Sequence, residues 1–122
     1  MKSKLLIVED DENLRTQMKW ALAQDYEVFL AGDRLSALEV LKKERPTVAI
    51  LDLGLPPRPD EVEEGFLVLA DMREQDVLIK IIIATGHDER EYALRAISQG
   101  AYDFFYKPVH TEELKIVLHR AF

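Results

Sequence analysis

Four acidic residues in a row, Glu9-Asp10-Asp11-Glu12, follow one short apolar run, and a single Asp52 follows another. If Glu9, Asp10 and Asp52 meet within a few ångströms, their mutual repulsion either raises a carboxyl pKa or recruits a cation. Oxygen ligands without His or Cys partners favour Mg²⁺, which keeps several waters and binds through one or two carboxylates plus a phosphate. The backbone carbonyl of Gly54 can complete such a sphere. Beside the metal, Asp52 is placed to attack phosphorus and form an aspartyl phosphate. Thr85 and Lys107 add what phosphoryl transfer still lacks, a hydroxyl and a point charge for the equatorial oxygens. Gly86 leaves space for the phosphoryl group to approach. Each residue has a plainer reading: Asp11 a helix cap, Glu9 and Asp10 solvated strand-end acids, Asp52 a turn residue, Thr85 a cap, Lys107-Pro108 a turn. Their joint spacing argues for the site.

Residues so far apart converge only on a suitable scaffold. Short apolar runs recur at Leu5 to Val8, Val28 to Ala31, Val48 to Leu51, Ile81 to Ala84 and Phe104 to Tyr106. Apolar runs without alternation suit strands covered on both faces. Between and after them lie helical stripes: Leu14, Met18, Ala21 and Leu22; Ala37, Leu38 and Leu41; Phe66, Leu69 and Ala70; Tyr92, Ala93, Ala96 and Ile97; Leu114, Val117, Leu118 and Ala121. Asp11, Asp33, Asp88 and Thr111 are the expected N-caps, with Glu91 completing a capping box on Asp88 and Gly100 as a helix stop. Strand then helix, repeated five times, gives a doubly wound α/β fold with helices on both faces of a parallel sheet. For strand order 2-1-3-4-5, the ligand site lies beyond the carboxyl ends of strands 1 and 3. Glu9 to Glu12, Asp52, Thr85-Gly86 and Lys107-Pro108 are the ends of strands 1, 3, 4 and 5.

Composition narrows the function classes. The chain has 122 residues, 48% of them hydrophobic, with 16 Lys+Arg against 23 Asp+Glu for a net charge of −7. A chain of this size buries roughly two thirds of its unfolded surface and needs no disulfide or structural metal. The absence of cysteine excludes thiolate zinc sites and cysteine nucleophiles. The longest apolar run is five residues, Phe66 to Ala70, against about 20 for a membrane span. The acidic balance argues against direct nucleic-acid binding by residues 1–122, because phosphate contacts need clustered Lys and Arg.

Five motifs in order, Ile7-Val8-Glu9-Asp10-Asp11, Leu51-Asp52-Leu53-Gly54-Leu55-Pro56, Thr85-Gly86, Gly100-Ala101-Tyr102-Asp103-Phe104 and Lys107-Pro108, resemble the receiver domain of two-component response regulators. The resemblance covers essentially the whole chain and implies one receiver domain over residues 1–122. It implies that Asp52 is phosphorylated, that Asp10 is a direct metal ligand and Glu9 a ligand mostly through water. It further implies that Thr85 and Lys107 sense the phosphoryl group, that Phe104 is the switch aromatic, and that the Lys107-Pro108 bond is cis. The implied partners are a sensor histidine kinase, the chain's own output domain, and a second copy in a homodimer formed on phosphorylation. With no cysteine the redox compartment stays open, and a reducing cytoplasm is the simpler reading.

One departure stands out. Gly65 resembles the glycine that opens the third helix but lies 13 positions after Asp52, about five more than is usual in the family. The extra residues are approximately Pro57 to Glu61. Leu53-Gly54-Leu55-Pro56-Pro57 with the acidic stretch that follows resembles the regulators of exopolysaccharide and PEP-CTERM protein-sorting systems. That resemblance implies an AAA+ module and a helix-turn-helix segment in a longer protein.

Competing classes fit less well. A stand-alone receiver or phosphorelay protein shares the site and differs only in its output. A Mg²⁺-dependent phosphohydrolase of the haloacid-dehalogenase type wants a second Asp two residues after its nucleophile, where this chain has Gly54. A flavin or nucleotide module wants hydroxyls and free amides in the first loop, where Glu9 to Glu12 offer carboxylates. A degenerate receiver that only docks partners would lack an expected site residue, and none is missing.

Overall fold

The computed structural model describes residues 2–87 and 89–122. Five strands alternate with five helices: β1 (Ser3–Val8), α1 (Glu12–Leu22), β2 (Tyr26–Ala31), α2 (Arg34–Glu44), β3 (Val48–Leu51), α3 (Glu63–Gln75), β4 (Lys80–Thr85), α4 (Arg90–Ser98), β5 (Asp103–Tyr106) and α5 (Thr111–Ala121). The strands form one sheet in the order β2-β1-β3-β4-β5. Every pairing is parallel, with Val8 opposite Ala31 on one side and Leu51 on the other. This is the doubly wound α/β fold expected from the apolar runs.

Alternation within each strand sorts the interior into two layers. Leu6, Val8, Ala49, Leu51, Ile81 and Ile83 face a core closed by α2, α3 and α4. Leu5, Ile7, Val48, Ile50, Ile82 and Ala84 face a second core closed by α1 and α5. All of these strand residues are buried.

Helix boundaries follow local chemistry. The Asp11 side chain accepts a hydrogen bond from the Leu14 amide at 3.1 Å. Asp33 caps α2 in a capping box with Ser36. Gly100, at φ +99°, provides the stop after α4 in a conformation disfavoured for residues with a Cβ. Thr111, expected as a cap, is instead the first residue of α5. The extended His110 is the boundary residue, because its carbonyl accepts the first helical hydrogen bond from Leu114 at 3.0 Å. The expected Asp88 cap lies outside the described residues, and Glu89 borders α4 without a side-chain cap bond.

Two stripe residues are also corrected. Ala70 is exposed, and Val68 and Met72 join Phe66 and Leu69 inside, because Gly65 sits against the backbone of Leu53 and sets the rotation of α3. Ile97 is 49% exposed on the outer edge of α4, where Ala96 is the buried residue.

Candidate functional site

The carboxyl ends of β1, β3, β4 and β5 meet at one rim. Beyond β1, the Glu9 amide still donates to the Ala31 carbonyl at 3.0 Å, and Arg15 Nη1 donates to the Glu9 carbonyl at 2.7 Å. The Asp11 amide donates to Glu9 Oε2 at 3.1 Å and turns the chain into α1. Beyond β3, the Asp52 amide donates to the Val8 carbonyl at 2.9 Å. Asp52 therefore extends the β1–β3 pairing rather than entering a free loop. Its Oδ1 accepts a hydrogen bond from the Gly54 amide at 3.2 Å. Carboxylate oxygens of Glu9, Asp10 and Asp52 all lie within 4.8 Å of one another. Glu9 and Asp52 are buried, and Asp10 is partly exposed.

Lys107 reaches this cluster from the far side of the sheet. Its amide donates to the Thr85 carbonyl at 2.8 Å, fixing the segment after β5 to the end of β4. Its Nζ donates to Glu9 Oε1 and, at 3.1 Å, to Asp52 Oδ2. One ammonium thus bridges two buried carboxylates. Burial, with the Asp52 charge adding to it, raises the Glu9 pKa from its ordinary value to about 7 despite the Lys107 contact. Burial works against the Lys107 charge, yet its bonds to Glu9 and Asp52 outweigh that effect and raise its pKa.

Thr85 is fully buried, and its Oγ1 accepts a hydrogen bond from the His87 amide at 3.3 Å. The space around Gly86 is open. Phe104 is half-buried, packs against the α2–α4 core and meets Tyr106 edge-on at 5.2 Å. The Lys107-Pro108 bond is cis. Among the described residues, no buried side-chain polar atom lacks a hydrogen-bond partner.

An all-oxygen cluster with two buried acids and one partly open one fits a hard divalent cation better than a softer metal, which would draw His or Cys. The arrangement offers a shielded carboxylate within an acidic cluster and an ammonium bonded to it, with Thr85 at the end of the neighbouring strand. It lacks a second acid two residues beyond Asp52, as a phosphohydrolase would need.

Several partnerships carry no local signal in the sequence. Glu9 and Lys107 are 98 positions apart, and nothing near either announces the ion pair. His87 is half-buried at the rim, with its Nε2 at 3.2 Å from the Pro59 carbonyl. A second cis bond, Pro56-Pro57, also went unanticipated. The Asp33–Ser36 box did have a signal, a serine three residues after an aspartate.

Comparison with known proteins bears on the whole arrangement. Residues 5–119 match the family described as "Response regulator receiver domain". The chain is 30% identical over 120 residues to Regulatory protein AtoC of Escherichia coli, covering 98% of this chain and 25% of that protein. It is 30% identical over 116 residues to Sporulation initiation phosphotransferase F of Bacillus subtilis, covering 94% of this chain and 90% of that one. The crystal structure of the receiver domain of NtrX from Brucella abortus superimposes with a TM-score of 0.86 at 30% identity, covering 96% of each chain.

Proposed function

The chain belongs to the response regulator receiver domains of two-component systems, and from that membership we propose that Asp52 is its phosphoacceptor. The observation that carries this reading is the Lys107 ammonium bridging Asp52 and Glu9 at the sheet's carboxyl-end rim, with Asp10 alongside. Asp10, Asp52, the Gly54 carbonyl and Glu9, the last mostly through water, are the residues that would hold Mg²⁺. When bound, the ion screens the negative charges of carboxylate and phosphoryl group from each other.

The donor is a phosphohistidine of a sensor kinase. An Asp52 oxygen attacks phosphorus, the phosphorus–nitrogen bond breaks, and the imidazole leaves and takes up a proton. Lys107 offers positive charge to the phosphoryl oxygens, and Thr85 offers its hydroxyl. An apolar cavity of about 460 Å³ between α1 and α5, lined in part by Met18, Ala21 and Leu114, opens beside Lys107 and Pro108 and suits a docking donor. Hydrolysis releases inorganic phosphate and restores the carboxylate, so the domain acts in signalling and assists only its own turnover.

Phosphorylation then biases a two-state element. Thr85 moves toward the new dianion, Phe104 enters the space it leaves, and the surface of α4, β5 and α5 becomes competent to dimerise. That surface already exposes Leu94, Ile97, Tyr102 and Tyr106. Turning a 1:99 population into 99:1 takes about 5.5 kcal/mol of differential interaction. Addition of beryllofluoride with Mg²⁺ is expected to shift the amide resonances of Thr85 and Phe104; an unchanged spectrum defeats the switch.

The output is a linked transcription-regulating module, AAA+ and helix-turn-helix in character, in a longer cytoplasmic protein of which residues 1–122 form the receiver. One observation supports the longer protein: the chain spans only a quarter of AtoC, a regulatory protein. A phosphorelay role is the second reading, favoured by coverage of 90% of phosphotransferase F. The length of the native protein on an immunoblot separates the two.

The deciding experiment is incubation with acetyl phosphate and Mg²⁺ followed by intact-mass measurement. Wild type is expected to gain one phosphate adduct and Asp52→Asn none. An adduct of equal occupancy in both would remove Asp52 from its role.

A further inference from the structure

The inserted stretch after Asp52 is closed at its base. The Gly65 amide donates to the Leu53 carbonyl at 3.2 Å, and a methyl group on Gly65 would strike the Leu53 backbone at 2.3 Å. Between these points the chain leaves the rim and returns, anchored by buried Leu55 and Val62 and exposed over residues 57–61. The exposed part does not hang free. It folds back so that a methyl group on Gly54 would lie 2.3 Å from the Pro59 carbonyl oxygen and 2.9 Å from His87 Nε2. Those two groups are themselves 3.2 Å apart, with the ring N–H placed to donate. Among the described residues this is the one hydrogen bond joining residues 56–61 to a distant segment. The His87 ring is also braced edge-on by Tyr92 at 6.5 Å, and its amide by Thr85 Oγ1.

From this geometry we infer that His87 is a positioning residue for the metal site: by clasping the Pro59 carbonyl it presses the inserted loop against Gly54 and fixes that residue's peptide. The consequence reaches the acids directly. The Gly54 amide holds Asp52 Oδ1, and its carbonyl is the backbone ligand assigned above. A clasped loop presents both in the binding orientation before a cation arrives, so less ordering accompanies binding. The insertion is therefore part of the rim's working structure, and residues 57–61 without His87 lose that effect.

This inference rests on the assignment of Asp52 and Gly54 as metal ligands, and one set of Mg²⁺ titrations separates the two. Affinity is read from the rise in melting temperature with added Mg²⁺, independently of phosphorylation. His87→Ala is expected to bind about tenfold more weakly, the low end for a group one step removed from a ligand. Its melting temperature without metal stays as in wild type. His87→Gln, whose amide can still donate to Pro59, keeps near wild-type affinity. A variant lacking residues 57–61 binds as weakly as His87→Ala, and combining the two changes adds nothing further. Asp10→Asn sets the floor. If wild type shows no Mg²⁺ response, the ligand assignment itself fails. If wild type responds and His87→Ala matches it, if Gln is no better than Ala, or if the combined losses add, the clasp fails alone.

Discussion

The two ends of the same sheet treat charge in opposite ways. At the amino end, Lys4 meets Glu44 at 3.2 Å with both side chains substantially exposed, 38% and 24%. At the carboxyl end, Lys107 holds Glu9 and Asp52 with their side chains only 3% and 8% exposed. Water does most of the work for the first pair, so it contributes little to stability. The second group is desolvated, and its members depend on one another. Among the described residues, charge is kept out of water only where the strand ends converge, and there the field between charges is little diluted by solvent.

Removing one member at each end breaks or sharpens this contrast. Lys107→Met leaves two buried carboxylates without a counter-charge and is expected to lower stability at pH 8 by about 2 kcal/mol, below the full buried-pair value because the ammonium is partly wetted. Urea midpoints measure it, and the loss shrinks at pH 5 as Glu9 takes a proton. A change of only a few tenths would mean the rim is as well solvated as the amino end.

Glu9→Gln has a smaller effect of opposite sign. The folded protein holds the Glu9 proton up to about pH 7, against 4.5 for the free group, so this residue's contribution falls as pH rises from about 4.5 to 7. Without metal, the variant is expected to be more stable than wild type above pH 7, by about 1 kcal/mol, with a flatter profile across that window. A variant less stable than wild type at pH 8 would show that the Lys107 contact outweighs burial. Lys4→Met should change stability by no more than about 0.5 kcal/mol, and that difference should vanish in 1 M salt.

The same division explains what could be read from the residues in order. β3 appears with its ends intact because Val48 to Leu51 is buried on both faces and must be apolar throughout. The caps Asp11 and Asp33 announce themselves because a cap is a contact across three residues. Ala70 and Ile97 were misplaced because a helix stripe gives a face only to within a residue, and tertiary contacts such as Gly65 on Leu53 choose the rotation. The meeting of Glu9, Asp10 and Asp52 at one rim was legible from the strand ends. The Glu9–Lys107 pair and the His87–Pro59 clasp were not, since each joins segments whose meeting depends on the completed fold.

The pinch of Gly65 on Leu53 has a practical corollary. Because the chain departs and rejoins at almost the same point, its intervening length is uncoupled from the register of α3, and the entropy of a longer excursion grows only slowly. Residues 57–61 thus form a natural insertion port. A reporter peptide spliced there would leave the scaffold intact while sitting one hydrogen bond from His87.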